Sequence, residues 1–140
     1  MKRILPILLL LVTGCGLSTL VDRRIERNST EVYEIEKKRL AELAPAYDAE
    51  RVTALRKLTA DAPVTATAVA ESKSMADQTA AGRAYRQQEG LVEAAEYRLA
   101  DAAQRMGPPY GKTAREMQLA RETDEDERLM AALTSESGRK

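Results

Sequence analysis

The sequence contains no histidine, phenylalanine or tryptophan, and its 140 residues include a single cysteine. Aromatic side chains normally contribute much of the buried area of a core, so the five tyrosines predict a thin one. The missing histidine removes the most common metal ligand and general base. A single cysteine excludes an internal disulfide. We therefore expect no metal site and no histidine-dependent catalysis.

Neither sign of charge is in excess, because 22 basic residues balance 22 acidic ones. The chain thus has no large basic face to attract nucleic acid, and no electrostatic reason to bind an anionic membrane surface. Alanine is abundant after residue 40, and large aliphatic residues are sparse. Closely packed helices, or long helices with a narrow apolar seam, suit this composition better than a compact α/β domain. The composition predicts an all-α protein without a nucleic-acid partner.

The amino-terminal residues have the pattern of a secretory signal peptide. Lys2 and Arg3 precede an uncharged apolar run over residues 4–12, and small residues follow. That order is typical of a signal peptide, and the run is too short to cross a bilayer as a mature helix. The run ends in Val12-Thr13-Gly14-Cys15. These four residues resemble the lipobox of bacterial lipoprotein precursors.

The lipobox resemblance implies a lipid anchor on Cys15. In that class of precursor the chain is cleaved after Gly14, diacylglycerol is attached to the thiol, and an N-acyl chain such as palmitate is added. Two or more chains give stable membrane attachment. In the sorting pattern that this region resembles, an Asp directly after the cysteine retains a lipoprotein in the inner membrane. This chain has Gly16 at that position, which favours the outer membrane, with the protein facing the periplasm. The inner membrane and the cell surface are the alternative locations. The alternatives are an ordinary cleaved signal peptide and an uncleaved signal anchor.

Cleavage would remove 14 residues, two of them basic and none acidic, and would change the net charge from 0 to −2. After a short lead over residues 15–18, we expect a helical periplasmic region over 19–134 and a disordered polar tail over 135–140. The expected fold is an extended helical hairpin or a small bundle of about four helices. Its core would be thin and Ala-rich, and part of it would resemble a coiled coil.

The first helix is predicted to run from a cap at Ser18 or Thr19 to residue 43. Its apolar residues fall within one arc of the helix, namely Leu17, Val21, Ile25, Val32, Ile35, Leu40 and Leu43. Asn28 occupies a seam position within the arc. It is either a polar gap in an ordinary amphipathic helix or a residue that sets the register of a coiled coil.

Prolines and glycines predict the remaining boundaries. Pro45 is expected to break the first helix and begin a second over 46–59. Residues 64–70 suit a strand or a helix, and we favour a helix that continues to residue 106, with a bend or a change of packing partner near residues 82–90. The Gly-Pro-Pro-Tyr-Gly segment at 107–111 predicts a loop. Thr113 is expected to start a last helix that runs to about residue 133.

Three segments invite a chemical interpretation, and none supports catalysis. The acidic residues at 124–127 fan around a helix and lack the glycine turn of a calcium loop, so we interpret them as a solvated face. Ser72 and Lys73 are adjacent, without the Ser-x-x-Lys spacing of penicillin-binding enzymes. Gly111-Lys112-Thr113 lacks the upstream glycine spacing of a phosphate loop. We predict no catalytic residue and no small-molecule substrate.

Tyr85, Tyr97 and Tyr110 are either interface anchors or core residues, and we favour core or helix-contact roles. The predicted function is that of a lipid-anchored envelope protein that binds another protein or itself. Examples of this class are accessory subunits of secretion or conjugation machines and exclusion lipoproteins of conjugation systems. The alternatives are a cell-wall-directed enzyme or enzyme inhibitor, and the outer-membrane component of a phage lysis system.

Overall fold

A computed structural model describes residues 5–60 and 63–137, with side chains between residues 20 and 135. Four helices follow one another along the chain: α1 (Leu5–Leu58), α2 (Ala66–Asp77), α3 (Ala80–Met106) and α4 (Ala114–Ser137). The described residues form no strand. The predicted all-α fold, a small bundle of four helices, is confirmed.

The predicted break at Pro45 is wrong, because α1 runs through it. A proline inside a helix leaves the carbonyl four residues earlier without its donor and costs about 3 kcal/mol. That carbonyl belongs to Ala41, which is exposed like Pro45 itself, so water can reach both. Leu40 and Ala44 before the proline and Tyr47 after it are buried in one core cluster. Packing on both sides of the proline therefore keeps the two segments in one helix.

The amino-terminal boundary of α1 also differs from the prediction. The helix begins at Leu5, so neither Ser18 nor Thr19 caps a helix in this chain. The backbone of Cys15 lies within α1, while its side chain and residues 1–4 lie outside the part of the chain that the structure describes. The lipobox prediction therefore stays a prediction.

The single helix predicted between residues 64 and 106 divides into α2 and α3 at residues 78–79. Thr65 caps α2, accepting from the N–H of Ala68 at 3.2 Å, so residues 66–70 are helical, as we favoured. Thr79 caps α3, accepting from the N–H of Gly82 at 3.0 Å. Helix α3 passes through both Gly82 and Gly90 without a break. The break between the two helices therefore lies at Gln78 and Thr79, before either glycine.

A capping box starts α4. The backbone N–H of Thr113 donates to Glu116 Oε2 at 2.7 Å, and the N–H of Glu116 donates to Thr113 Oγ1 at 3.2 Å. The predicted start at Thr113 is therefore confirmed. Gly107 ends α3 with a φ of 82°, a value that favours glycine. Residues 135–137 of the predicted tail are helical, and residues 138–140 lie outside the described residues.

Helix α3 runs antiparallel to both α1 and α4. Residue 85 contacts residue 47 of α1, whereas residue 88 bonds to residue 36. Residue 85 also bonds to residue 128 of α4, and residue 96 bonds to residue 121. Small side chains allow the helices to approach, and many core residues are alanines: Ala44, Ala54, Ala76, Ala95, Ala100 and Ala102.

The amino-terminal half of α1 contributes little to this core. Between residues 20 and 39 no side chain is buried. Val21, Ile25, Val32 and Ile35, which we call the α1 stripe, are 40 to 55% exposed. Of the arc residues whose side chains the structure describes, only Leu40 is buried. The fully buried side chains of α1 therefore begin at Leu40, and the stripe is a largely exposed apolar face.

Candidate functional site

A buried carboxylate, Glu125, links α4 to the three other helices. Its Oε1 accepts from Arg51 Nη1 of α1 at 3.0 Å and lies 3.3 Å from both Lys73 Nζ of α2 and Arg86 Nη2 of α3. Arg51 and Glu125 are each only 1% exposed. Burial of a charge is costly unless it is paired and hydrogen-bonded. The arrangement therefore holds the four helices in one relative position.

Two stacked tyrosines form the apolar side of this cluster. The rings of Tyr47 and Tyr85 lie 4.3 Å apart at an interplanar angle of 10°, and both residues are fully buried. The guanidinium of Arg86 lies 4.9 Å from the Tyr47 ring and 5.5 Å from the Tyr85 ring. Cation–π contacts at such distances are favourable. The Tyr47 hydroxyl donates to Asp77 Oδ1 at 2.8 Å, which ties the pair to α2.

Electrostatics in the cluster favour its ionised form. Burial acts to raise the pKa of Glu125, but the charges of Arg86, Lys73 and Arg51 outweigh it and lower the pKa below its usual value. Burial acts to lower the pKa of Arg86, but hydrogen bonds to Glu89 and Asp77 and the charge of Glu125 raise it. The carboxylate therefore stays charged at neutral pH.

Two further arginines of α4 reach across the bundle. Arg121 bonds to Glu96 through Nη1 and lies 3.5 Å from Glu89 through Nε. Arg128 donates to Asp48 at 3.0 Å, to Tyr85 at 3.0 Å and to Asp124 at 2.5 Å. Asp48 belongs to α1, whereas Glu89, Glu96 and Tyr85 belong to α3. Both arginines thus attach the middle of α4 to the rest of the bundle.

A groove opens beside these contacts, between α1 and α4, with α3 as its floor. We call this cavity of about 620 Å³ the α1–α4 groove. Its lining on α1 runs from Glu26 to Ala44, which is about 27 Å of helix. Apolar side chains on its walls and floor include Leu40, Val92, Leu99, Met117 and Ala120. Its volume is within the usual range of ligand and docking pockets.

The floor of the groove carries an unpaired acceptor. Glu96 lines the groove and is 1% exposed. Arg121 occupies its Oε1, whereas Oε2 has no hydrogen-bond partner. A buried polar atom without a partner costs about 1 to 3 kcal/mol. A bound group that donates a hydrogen bond to this oxygen would remove that cost.

The structure places the predicted acidic face differently from expectation. Asp124, Asp126 and Glu127 are exposed, but Glu125 is buried at the centre of the ion-pair cluster. The interpretation as a solvated face is therefore wrong for Glu125. Lys73 belongs to the same cluster, whereas Ser72 is buried and donates to the Val69 carbonyl. Sequence reasoning missed Arg51, Arg86 and Glu96, because their partners lie far along the chain.

The remaining predicted residues are placed as follows. Tyr85 is a core residue, as predicted, while Tyr97 and Tyr110 are 62% and 68% exposed and contribute nothing to the core. Lys112 lines the α1–α4 groove. Among residues 5–60 and 63–137, no group of three acidic, cysteine or histidine side chains is arranged to hold a metal ion. In the same residues, no helix is both long and apolar enough to span a membrane.

Comparison with known proteins identifies no relative, because no family model, curated protein or solved structure matches this chain significantly.

Proposed function

We propose that the chain is a lipid-anchored bacterial envelope protein that acts by binding another protein through the α1–α4 groove. Residues 12–15 support the anchor, because a small-residue run ending in the only cysteine follows a basic terminus and an apolar segment. The anchored protein lies on the periplasmic side of the outer membrane. The observation that carries the binding role is the unpaired Glu96 oxygen on the floor of an apolar groove.

The shape and chemistry of the groove favour an amphipathic helix as its occupant. An elongated apolar trough of about 27 Å accepts four to five turns of helix, and helix-in-groove binding uses an apolar face with regular anchors. A single donor on that face, such as lysine or asparagine, would suit the carboxylate of Glu96, which lines the groove. Lys37, Lys112 and Asp124 line the groove as well, so a partner with charges of both signs on its flanks fits best.

The anchor is tested by replacing Cys15. Wild-type protein is expected to incorporate labelled palmitate and to remain with the membrane after a high-salt wash. Cys15→Ala should abolish labelling and leave the signal peptide uncleaved, while Ser18→Ala, a matched nearby change, should behave as wild type. A mature protein with an unmodified Cys15, detected by mass spectrometry, would refute the lipid anchor.

The binding role is tested by site-specific photo-crosslinking in intact cells. A photoreactive residue at Ala41 or Ala120, both exposed and both lining the groove, should crosslink to the same protein. The same residue at Ala49, exposed on α1 away from the groove, should not. Ala120→Trp should obstruct the groove and suppress crosslinking from Ala41. Equal crosslinking from Ala49, or no dependence on Ala120→Trp, would contradict groove binding.

The interaction role fits the groove better than an enzymatic role. Three carboxylates line the groove, Glu26, Glu96 and Asp124, and an arginine bonds to each of the last two. An arginine that holds one oxygen of a carboxylate fixes the orientation of the group, which suits hydrogen bonding to a donor on a partner. Turnover of cell-wall material by the purified protein, lost in Glu96→Gln, would favour the enzyme instead.

A further inference from the structure

The α1 stripe is a second apolar surface, separate from the α1–α4 groove. None of its four residues lines the groove. Together with Asn28, the stripe residues occupy positions 21, 25, 28, 32 and 35. Successive positions are separated by four, three, four and three residues. Alternating steps of four and three are the seam of a two-stranded coiled coil. The stripe therefore has the spacing to pair with one other helix.

The charges beside the stripe are complementary to the same stripe on a second copy. Arg24 and Glu31 are exposed on one edge of the stripe, and neither makes an ion pair within the part of the chain that the structure describes. They lie seven residues apart, too far to meet on their own helix. When two copies are aligned antiparallel about the point between residues 26 and 27, Arg24 of each faces Glu31 of the other.

We propose that the α1 stripe pairs with the α1 stripe of a second copy in this antiparallel register. Val21 then lies level with Val32 of the second copy, and Ile25 lies level with Asn28. The two Asn28 residues are offset by about 4.5 Å along the axis, so their amides can bond to each other. A polar pair in an apolar seam fixes register, which gives Asn28 a role in addition to filling a gap.

The parallel arrangement has the opposite electrostatics. In that register Glu31 lies beside Glu36 of the second copy, and Arg39 faces Arg39 in the seam. Like charges at such positions are unfavourable. In the antiparallel register the two stripes overlap over residues 21–32, about 16 Å of helix, so the pairing is reversible and depends on concentration. It rests neither on the lipid anchor nor on the groove.

Disulfide crosslinking of the purified full-length chain in detergent tests the register. Differently tagged Val21→Cys and Val32→Cys chains are mixed and oxidised, with wild-type chain as the control for Cys15. A mixed 21–32 disulfide is expected. Two copies of residue 21 would lie about 16 Å apart along the axis, beyond disulfide reach. A dominant 21–21 product would show a parallel pair, and no product above the wild-type control would show a monomer; either overturns the proposal.

Charge exchange distinguishes specific pairing from random contact. Arg24→Glu or Glu31→Arg places like charges together twice in each pair, and the 21–32 crosslinked fraction should fall about tenfold. The double variant restores both opposite-charge contacts and should recover the crosslink. These positions are exposed, and circular dichroism checks that each variant is folded. Loss of the crosslink in the double variant, or no loss in the single variants, would overturn the proposal.

Discussion

At the scale of single residues, Glu125 has the largest expected effect on stability. Glu125→Gln should lower the free energy of unfolding by about 3 kcal/mol, because the buried Arg51 loses its buried carboxylate and keeps only the exposed Asp126, 3.6 Å away. Urea unfolding followed by circular dichroism measures the change. Glu127→Gln, an exposed neighbour, is the matched control and should stay within about 0.5 kcal/mol of wild type. Equal losses in both variants would contradict a special role for Glu125.

The lowered pKa of Glu125 predicts the pH dependence of that difference. At neutral pH the carboxylate is ionised in both states, and its ion pairs contribute fully. As pH falls below the ordinary value of 4.5, the unfolded chain takes up a proton before the folded chain does, so this contribution is lost. The stability difference between wild type and Glu125→Gln should therefore shrink between pH 5 and pH 3. A constant difference would show that the charge is not responsible.

The acidic segment at 124–127 shows which features of a side chain the local sequence can predict and which it cannot. Helical periodicity correctly predicts that the four acidic side chains at 124–127 fan around the axis. Which one faces inward depends on Arg51, Lys73 and Arg86, which lie between 39 and 74 residues away. Nothing in the local sequence of α4 specifies those partners. A buried charge cluster is therefore the feature that sequence patterns predict least well.

At the scale of helices, two glycines of α3 should respond in opposite directions to the same change. A methyl group at Gly90 would meet nothing within 4 Å, whereas one at Gly82 would lie 2.0 Å from the Ala76 carbonyl oxygen. Gly90→Ala should stabilise the protein by up to about 1 kcal/mol through helix propensity. Gly82→Ala should destabilise it, because the turn between α2 and α3 must open. Thermal unfolding of both variants measures this, and stabilisation by Gly82→Ala would contradict the close approach.

Helix boundaries were predictable where a local signal decides them. The Thr113 and Glu116 pair is a sequence-level capping box, and Gly107 precedes two prolines. Pro45 is the instructive failure, because its local preference for ending a helix is overcome by packing of Leu40 and Tyr47 on the same cluster. The expected count of four helices is right, although one predicted break is absent and one break was unforeseen.

At the scale of the whole molecule, the two halves of α1 have different surroundings. Its carboxyl-terminal half holds the core and the ion-pair cluster, while its amino-terminal half carries the stripe. Antiparallel pairing would place the two Cys15 residues at opposite ends of the pair, about 35 Å apart along the axis. If both are acylated, the paired helices must lie along the membrane surface. The α1–α4 groove then remains available on each bundle, since no stripe residue lines it.

This division of α1 predicts a gradient of hydrogen exchange along a single helix. Amides of residues 20–35 should exchange faster than those of residues 40–55, because buried side chains begin at Leu40 and poorly packed helix opens locally at low free-energy cost. Raising the protein concentration should slow exchange in residues 20–35 alone, since pairing covers the stripe. Arg24→Glu should remove that concentration dependence and leave residues 40–55 unchanged. Uniform protection along α1 at low concentration would show that the amino-terminal half needs no partner to be stable.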